Sequence, residues 1–532
     1  MKKYTYILLL LSLFSCRPVS DELLSYGQND NQVYSNAKRN FTEEFKSFWL
    51  AMNENYSIWD YEYECGLDWD QVYETYLPKF EELDDTTKHK QVTNSELYSL
   101  YSQFVDSLHD GHLQLQIKNL HTGKYITLNP GQARNKRERG EQFAIEGKYI
   151  TNLNVYSSDY TNPKYRIIEY DNANANTMSF EHIARVLNLA KEKTQIYIEA
   201  IDKSGGPNQL NDSIYESAKQ MLSETYELDS ILNSTAINAS LISKIIPLYN
   251  TYCDMYYILG KQIGVVLSKA DANLAESALK SIEYSLFDGN ILYLRLSAFG
   301  LTPNLVSSMR TADTTSMLYS YQLAVDRVWQ RWFRQVQQFS NEDSLGGIIL
   351  DVRNNGGGYV NDYQFVLGAL LPAGGYNSHV LRVKNGVGRY DFSPLMNFVV
   401  PTLEQEHAVV SSAPIVVLAN SRSGSMAENT AWGVTQQPNG CFIGTRTYGA
   451  LSALNTNPAD YSATYSGAFG EENVTAIYGY IPKYVCLYGN DHHPIEGVGV
   501  IPDIQVPLDT TLFVEQGRDN QLEAAIDYIR KD

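Results

Sequence analysis

Two segments constrain the fold most, GGIILDVRNNGGG at 346–358 and PIVVLANSRSGSMAEN at 414–429. Each begins as a short apolar run, Ile348 to Leu350 in the first and Ile415 to Leu418 in the second, the pattern of a strand buried on both faces. Each run then opens into a turn that can hold chemistry. Gly356, Gly357 and Gly358 let backbone N–H groups approach a ligand closely and face developing negative charge. The second turn is rich in serine and leads into a helix expected to begin near Ser425, where the positive helix end favours an oxyanion. A serine nucleophile beside backbone donors implies acyl transfer, with peptide hydrolysis as the first expectation.

The surrounding pattern supplies the rest of a sheet. Ile291 to Leu296 is strand-like, a helix is expected over 315–340, another from about Tyr363, a third over 425–437, and a short strand over Cys441 to Ile443. This alternation predicts an α/β (mixed) fold, a sheet covered by helices on both faces, with sites beyond the carboxyl ends of its strands. Upstream, Phe45, Phe48, Trp49, Met52 and Tyr56 recur at helical steps, as do Leu97, Leu100, Tyr101, Phe104 and Leu108. Asp110-Gly111-His112 then marks a helix-to-strand junction before the alternating Leu113, Leu115 and Ile117. Residues 120–170 read as β-structure with loops, 178–193 as helix, Gln195 to Ile198 as strand and 208–284 as mostly helix.

Composition excludes some partners. A formal charge of −19 argues against nucleic acid. Met1-Lys2-Lys3 followed by the apolar Tyr4 to Phe14 reads as a signal peptide too short to span a bilayer, ending in Leu13-Phe14-Ser15-Cys16, which is similar to a bacterial lipobox. Cleavage there would leave Cys16 acylated and the chain anchored to a membrane of the cell envelope, facing the periplasm or the exterior. Cys65, Cys253, Cys441 and Cys486 have no metal-ligand spacing and read as isolated buried thiols, and His492-His493 reads as a solvated loop.

Four segments in this order, DGH at 110–112, LDVRNNGGG at 350–358, SGSMAEN at 423–429 and IEGVGVIPDIQV at 495–506, resemble the C-terminal processing peptidase (tail-specific protease) family, nearer its tricorn-core-like lipoprotein branch. The resemblance covers 286–510 well and 41–117 loosely, and barely reaches 120–285. It implies a crotonase-like peptidase core with a peptide or unfolded protein as substrate and no cofactor or metal. It also implies Ser425 as nucleophile, the N–H groups of Gly357 and Met426 as oxyanion donors, and Glu428, one helical turn from the serine, as a supporting residue. The family's lysine base is absent: Thr447-Tyr448-Gly449 is followed by Ala450, which cannot accept a proton. The tricorn-like branch implies instead His112 as base and Glu496 as the completing carboxylate.

The segmentation expected on this basis is a signal peptide at 1–15, a tether at 16–37, a helical domain at 38–118, a middle insertion or degenerate PDZ-like region at 119–285, a catalytic domain at 286–512 and a terminal helix at 513–532. Plainer readings stand beside the chemical ones. Ser425 would also serve as a helix cap, with Ser421 and Ser423 as rival caps or nucleophiles; His112 would also cap the helix or bond a backbone carbonyl, and Glu496 would also serve as a turn residue before Gly497; Arg353 is expected to pair with Asp351. Ala450 motivates an alternative of another class, a catalytically inactive peptide-binding lipoprotein on the same scaffold.

Overall fold

The computed structural model describes residues 40–531 except 89–90, 150–163, 174–193, Tyr197, most of 204–280, 313–316, 372–374, 401, 404–411, 453–463 and 469–476. The signal peptide, Cys16, the tether, Cys253, the 178–193 helix and nearly all of the 208–280 stretch lie outside the described residues. The chain gathers into two compact units, one of Met1–Arg134, Leu381–Met396 and Ser452–Leu487, the other of Asn135–Val380, Asn397–Leu451 and Tyr488–Asp532.

The first unit is built on aromatic packing. Its helices Phe41–Asn55, Trp69–Leu83 and Asn94–Val105 start on Asn40, Asp68 and Thr93, whose side chains accept amides that the first turn leaves unpaired. The apolar stripes meet inside: Phe45 stacks on Phe80 with centroids 4.3 Å apart, and Trp59 lies 4.6 Å from Trp69. Asp84 accepts from the Phe41 and Thr42 amides at 2.9 and 3.0 Å and ties two helices together. A four-stranded antiparallel sheet follows, ordered Thr464–Ala468, Ile477–Pro482, Gln114–Lys118, Tyr125–Leu128, with Leu115 and Ile117 buried as their alternation requires.

The second unit holds a seven-stranded mixed sheet, ordered Ile504–Gln505, Gly440–Gly444, Ile415–Ala419, Gly347–Asp351, Ile291–Leu296, Ile282–Phe287, Ile167–Ala173. The first five are mutually parallel and the last two add antiparallel. Every residue of the strands Gly347–Asp351 and Ile415–Ala419 is buried, which explains their unbroken apolar runs. On one face Ile349, Val416, Leu418 and Ile443 share a core with Leu522, Ala525, Ile526 and Ile529 of the terminal helix Asn520–Ile529. Period-two alternation sends Ile348, Leu350, Val417 and Phe442 to the opposite face, where they are also buried, and the helices Met317–Asn341 and Met426–Thr435 pack against the sheet.

Five expectations are corrected. Residues 130–149, expected as β-structure with loops, form the helix Pro130–Tyr149, kinked at Gly140; their polar composition hides a helix held by hydrogen bonds rather than by an apolar stripe. The stretch 195–198 is helical at its described positions rather than a strand. The end of the expected 208–284 helix is the strand Ile282–Phe287, β-paired on both sides. Around Tyr363 there are only the short 3-10 turns Val360–Phe365 and Gly368–Leu370. Of the described free cysteines, Cys441 and Cys486 are buried, but Cys65 is exposed.

Candidate active site

The strands Gly347–Asp351, Ile415–Ala419 and Gly440–Gly444 are parallel neighbours in register, Asp351 opposite Leu418 and Gly444 opposite Ala419. Their three following turns, 352–358, 420–425 and 445–450, therefore emerge side by side at the carboxyl edge of the sheet. Ser425 ends the second turn and precedes the helix Met426–Thr435 with φ 53° and ψ −118°, a backbone conformation that L residues rarely adopt. It is only half-buried. Its two rivals are not available as nucleophiles: Ser423 is fully buried and donates to the Val352 carbonyl at 2.7 Å, and Ser421 is buried with its hydroxyl on Glu146.

The glycine turn is pressed against this serine. Gly357 has φ +99°, and a Cβ placed on it would sit 2.5 Å from the Ser425 Cβ and 2.9 Å from the Met426 nitrogen. No other residue fits there. The turn is held by the Gly424 N–H donating to the Asn355 carbonyl at 2.9 Å, and by Phe299 N–H donating to the Gly357 carbonyl at 2.8 Å. The two expected oxyanion donors differ in state. Met426 is the first helical residue, and its N–H has no partner among the described residues. The Gly357 N–H instead donates to the Asn355 side-chain oxygen at 2.8 Å.

Behind the serine lies Glu428, fully buried. Its Oε1 accepts from the Thr447 hydroxyl at 2.6 Å and the Gly449 N–H at 2.7 Å; its Oε2 accepts from the Ala450 N–H at 2.7 Å and the Ser425 N–H at 3.1 Å. Burial pushes its carboxyl up to about 7, opposed by these donors and reinforced by the neighbouring charge of Glu496. Glu428 thus joins the Ser425 backbone to the Thr447-Tyr448-Gly449-Ala450 segment. Ala450 is buried there, and its carbonyl accepts from the Ser425 N–H at 2.9 Å. Glu496 is also buried and accepts from the Leu451 N–H at 2.7 Å. Ser425, Gly357, Met426, Glu428 and Glu496 are therefore brought together in one unit. Within that unit no described side chain hydrogen-bonds the Ser425 hydroxyl in the way a base would.

His112 belongs to the first unit. Asp110 accepts from the His112 and Leu113 amides at 2.8 and 3.1 Å and shapes the turn that carries it. Its Nδ1 is buried without a hydrogen-bond partner among the described residues, and burial lowers the imidazole to about 4. Behind it, the buried Glu62 accepts from the Tyr56 hydroxyl at 2.6 Å and the His109 N–H at 2.7 Å. His492 and His493 are exposed, and no metal-binding cluster occurs among the described residues.

Sequence reasoning missed Asn135, Arg139 and Glu146, which reach the site from a helix almost 300 residues upstream. Asn135 donates to the Tyr448 carbonyl at 2.9 Å, and Arg139 donates to the carbonyls of Arg446 and Thr447 at 2.6 and 2.5 Å. Glu146 accepts from the Thr445 hydroxyl at 2.7 Å and from the Ser421 N–H at 3.0 Å. The one signal for them was the run of polar residues at helical spacing, with no apolar face to explain it.

A parallel sheet that presents a serine elbow and a glycine turn at its carboxyl edge has the layout of an acyl-transfer enzyme. Residues 290–506 match Peptidase family S41. The chain is 27% identical over 228 residues to a carboxy-terminal-processing protease of Bartonella bacilliformis, 43% of this chain and 41% of that protein. It is 24% identical over 197 residues to the tricorn protease of Thermoplasma volcanium, 37% of this chain and 16% of that protein. The chain thus spans less than half the length of these relatives. Among solved structures it is similar to mature CPAF complexed with lactacystin, with a TM-score of 0.42 and 11% identity, over 92% of this chain and 97% of that one.

Proposed function

We propose that the protein is a serine endopeptidase in which the Ser425 hydroxyl attacks the scissile carbonyl of an unfolded chain or peptide tail. The observation that carries this reading is the half-exposed Ser425 at a strained φ of 53°, abutting Gly357 and opening the helix whose first N–H, that of Met426, is unpartnered. As the Oγ–C bond forms, the carbonyl oxygen becomes an oxyanion held by the Met426 N–H. It also competes with the Asn355 side-chain oxygen for the Gly357 N–H. His112 takes the hydroxyl proton and later delivers it to the leaving amine; water then resolves the acyl-enzyme by the same path. Support for His112 is its neutrality at physiological pH and its unbonded Nδ1. Glu428 and Glu496 hold the backbone behind the serine. Cys16 provides a lipid anchor on the bacterial envelope.

Ser425→Ala is expected to abolish cleavage of a dye-quenched unfolded casein and labelling by a fluorophosphonate while leaving the unfolding transition in place. Turnover that persists in Ser425→Ala removes the assignment. A second reading, an inactive peptide-binding lipoprotein, is favoured by Ala450 and by the lack of a base on the hydroxyl within its unit. Wild-type protein that is folded, unlabelled and without turnover, yet binds peptide, would decide for it.

A further inference from the structure

The helix Pro130–Tyr149 makes few apolar contacts, chiefly Phe143 beside Tyr448 and the partly buried Ile145 against the sheet core. From Asn135 to Gly147 the buried residues are Asn135, Phe143 and Glu146, only one of them apolar. Its position is set by polar bonds to the turn that ends at Ser425 and to the neighbouring 445–450 turn. On the 420–425 turn, Glu146 Oε2 accepts from the Ser421 N–H at 3.0 Å and from the Ser421 hydroxyl; from the 352–358 turn, the Asn354 side chain donates to the Glu146 carbonyl at 2.9 Å. On the 445–450 turn, Glu146 Oε1 accepts from Thr445 at 2.7 Å, and Arg139 grips the carbonyls of Arg446 and Thr447 at 2.6 and 2.5 Å. Arg422, between Ser421 and Ser423, lies over the Phe143 ring at 3.7 Å and donates to the Phe143 carbonyl at 3.0 Å.

One carboxylate therefore bridges both turns, with an oxygen for each. The Gln142 side chain also donates to Oε1, at 2.7 Å. The far turn carries the Thr447 hydroxyl, which receives the Val500 N–H at 2.7 Å and so directs its own proton to Glu428, which in turn holds the Ser425 N–H. We infer that Glu146, with Arg139, is a positioning residue for the nucleophile: it sets the spacing between the 420–425 turn, which ends at Ser425, and the neighbouring 445–450 turn, and thereby the aim of the hydroxyl and the Met426 N–H. The inference rests on the reading of Ser425 as nucleophile. It gives the helix Pro130–Tyr149, which lies outside the matched residues 290–506, a part in catalysis.

The chemistry of the bridge sets the test. In Glu146→Gln the amide oxygen can keep the donors of one turn, but its NH2 then faces the donors of the other and pushes that turn away. A displacement of about 1 Å at the reacting atoms lowers turnover on the order of a hundredfold. In the full-length protein, Glu146→Gln and the gentler Thr445→Val are compared with wild type for casein hydrolysis and for hydrogen–deuterium exchange by mass spectrometry. The expected result is a kcat reduced about ten- to hundredfold in Glu146→Gln, and less in Thr445→Val, with KM within about twofold. Faster exchange should be confined to 420–425 and 445–450. Unchanged exchange in those two segments, or a rise spread over the whole unit, overturns the inference. If wild type neither cleaves casein nor labels with a fluorophosphonate, the nucleophile reading fails by itself, while the exchange pattern still decides whether Glu146 spaces the two turns.

Discussion

At the scale of single residues, Ser425 combines exposure with a backbone conformation that costs energy. A non-glycine residue at φ 53° and ψ −118° is disfavoured by about 1–3 kcal/mol and persists only because the Asn355, Ala450 and Glu428 contacts hold the turn. This separates two substitutions that both remove the hydroxyl. Ser425→Ala keeps the Cβ and the strain; Ser425→Gly keeps neither. Both should be inactive, and Ser425→Gly should unfold at a denaturant midpoint higher than Ser425→Ala by the equivalent of about 1 kcal/mol, as read by equilibrium urea titration. Gly357 gives the converse case. Gly357→Ala places a methyl 2.5 Å from the Ser425 Cβ at a φ of +99°, so kcat should fall at least about a hundredfold and stability by about 1–3 kcal/mol. Much of this was legible in the sequence. The glycine run and the serine before a helix were local signals, and the resemblance at LDVRNNGGG and SGSMAEN singled out Gly357, Ser425, Met426 and Glu428 from them. The buried partners of Ser423 and Ser421 were not legible, since the Val352 carbonyl and Glu146 arrive through tertiary folding.

At the scale of elements, one turn and one helix carry groups whose titration acts in opposite directions. The turn at Asp110-Gly111-His112 holds an imidazole lowered from 6.5 to about 4. Between those values the unfolded chain binds the proton and the folded protein does not, so this group makes stability fall as pH is lowered from 6.5 towards 4. Glu428, raised from 4.5 to about 7, binds its proton in the folded state through that window, so its contribution is present at low pH and is lost as pH rises from 4.5 to 7. Thermal unfolding between pH 4 and 7 should therefore show His112→Gln losing the acid-side decline and Glu428→Gln losing the opposing slope. If His112 is also the base, the acid limb of kcat/KM should lie near pH 4 rather than near 6.5. The strands and long helices around these groups could be read from periodicity. The helix Pro130–Tyr149 could not, because hydrogen bonds to distant carbonyls leave no apolar stripe in its sequence.

At the scale of the whole chain, the last helix is fastened to the start of the glycine turn by one buried guanidinium. Arg353 is fully buried; its Nε donates to Asp351 Oδ1 at 3.0 Å, its Nη2 to Asp519 at 2.7 Å and its Nη1 to Gln521 at 2.9 Å. The expected Arg353–Asp351 pair is thus half of a larger arrangement, and the other half comes from 166 residues later. Asp519 also accepts from the Gln521 and Leu522 amides at 3.1 Å each and so caps the helix Asn520–Ile529 that it ties to the sheet. Removing it leaves a buried cation with a single carboxylate and uncaps a helix whose Leu522, Ile526 and Ile529 belong to the core. Breaking a buried pair of this kind costs about 3–5 kcal/mol. Asp519→Ala should therefore lower the unfolding midpoint of the protein by an amount in that range, measured by denaturant titration. Because Arg353 directly precedes Asn354-Asn355-Gly356-Gly357, part of the loss should appear as reduced kcat under conditions where the variant is still folded. A variant with normal stability would show that the terminal helix holds by its apolar face alone, and one with lowered stability but wild-type kcat would show that the turn keeps its shape without this anchor.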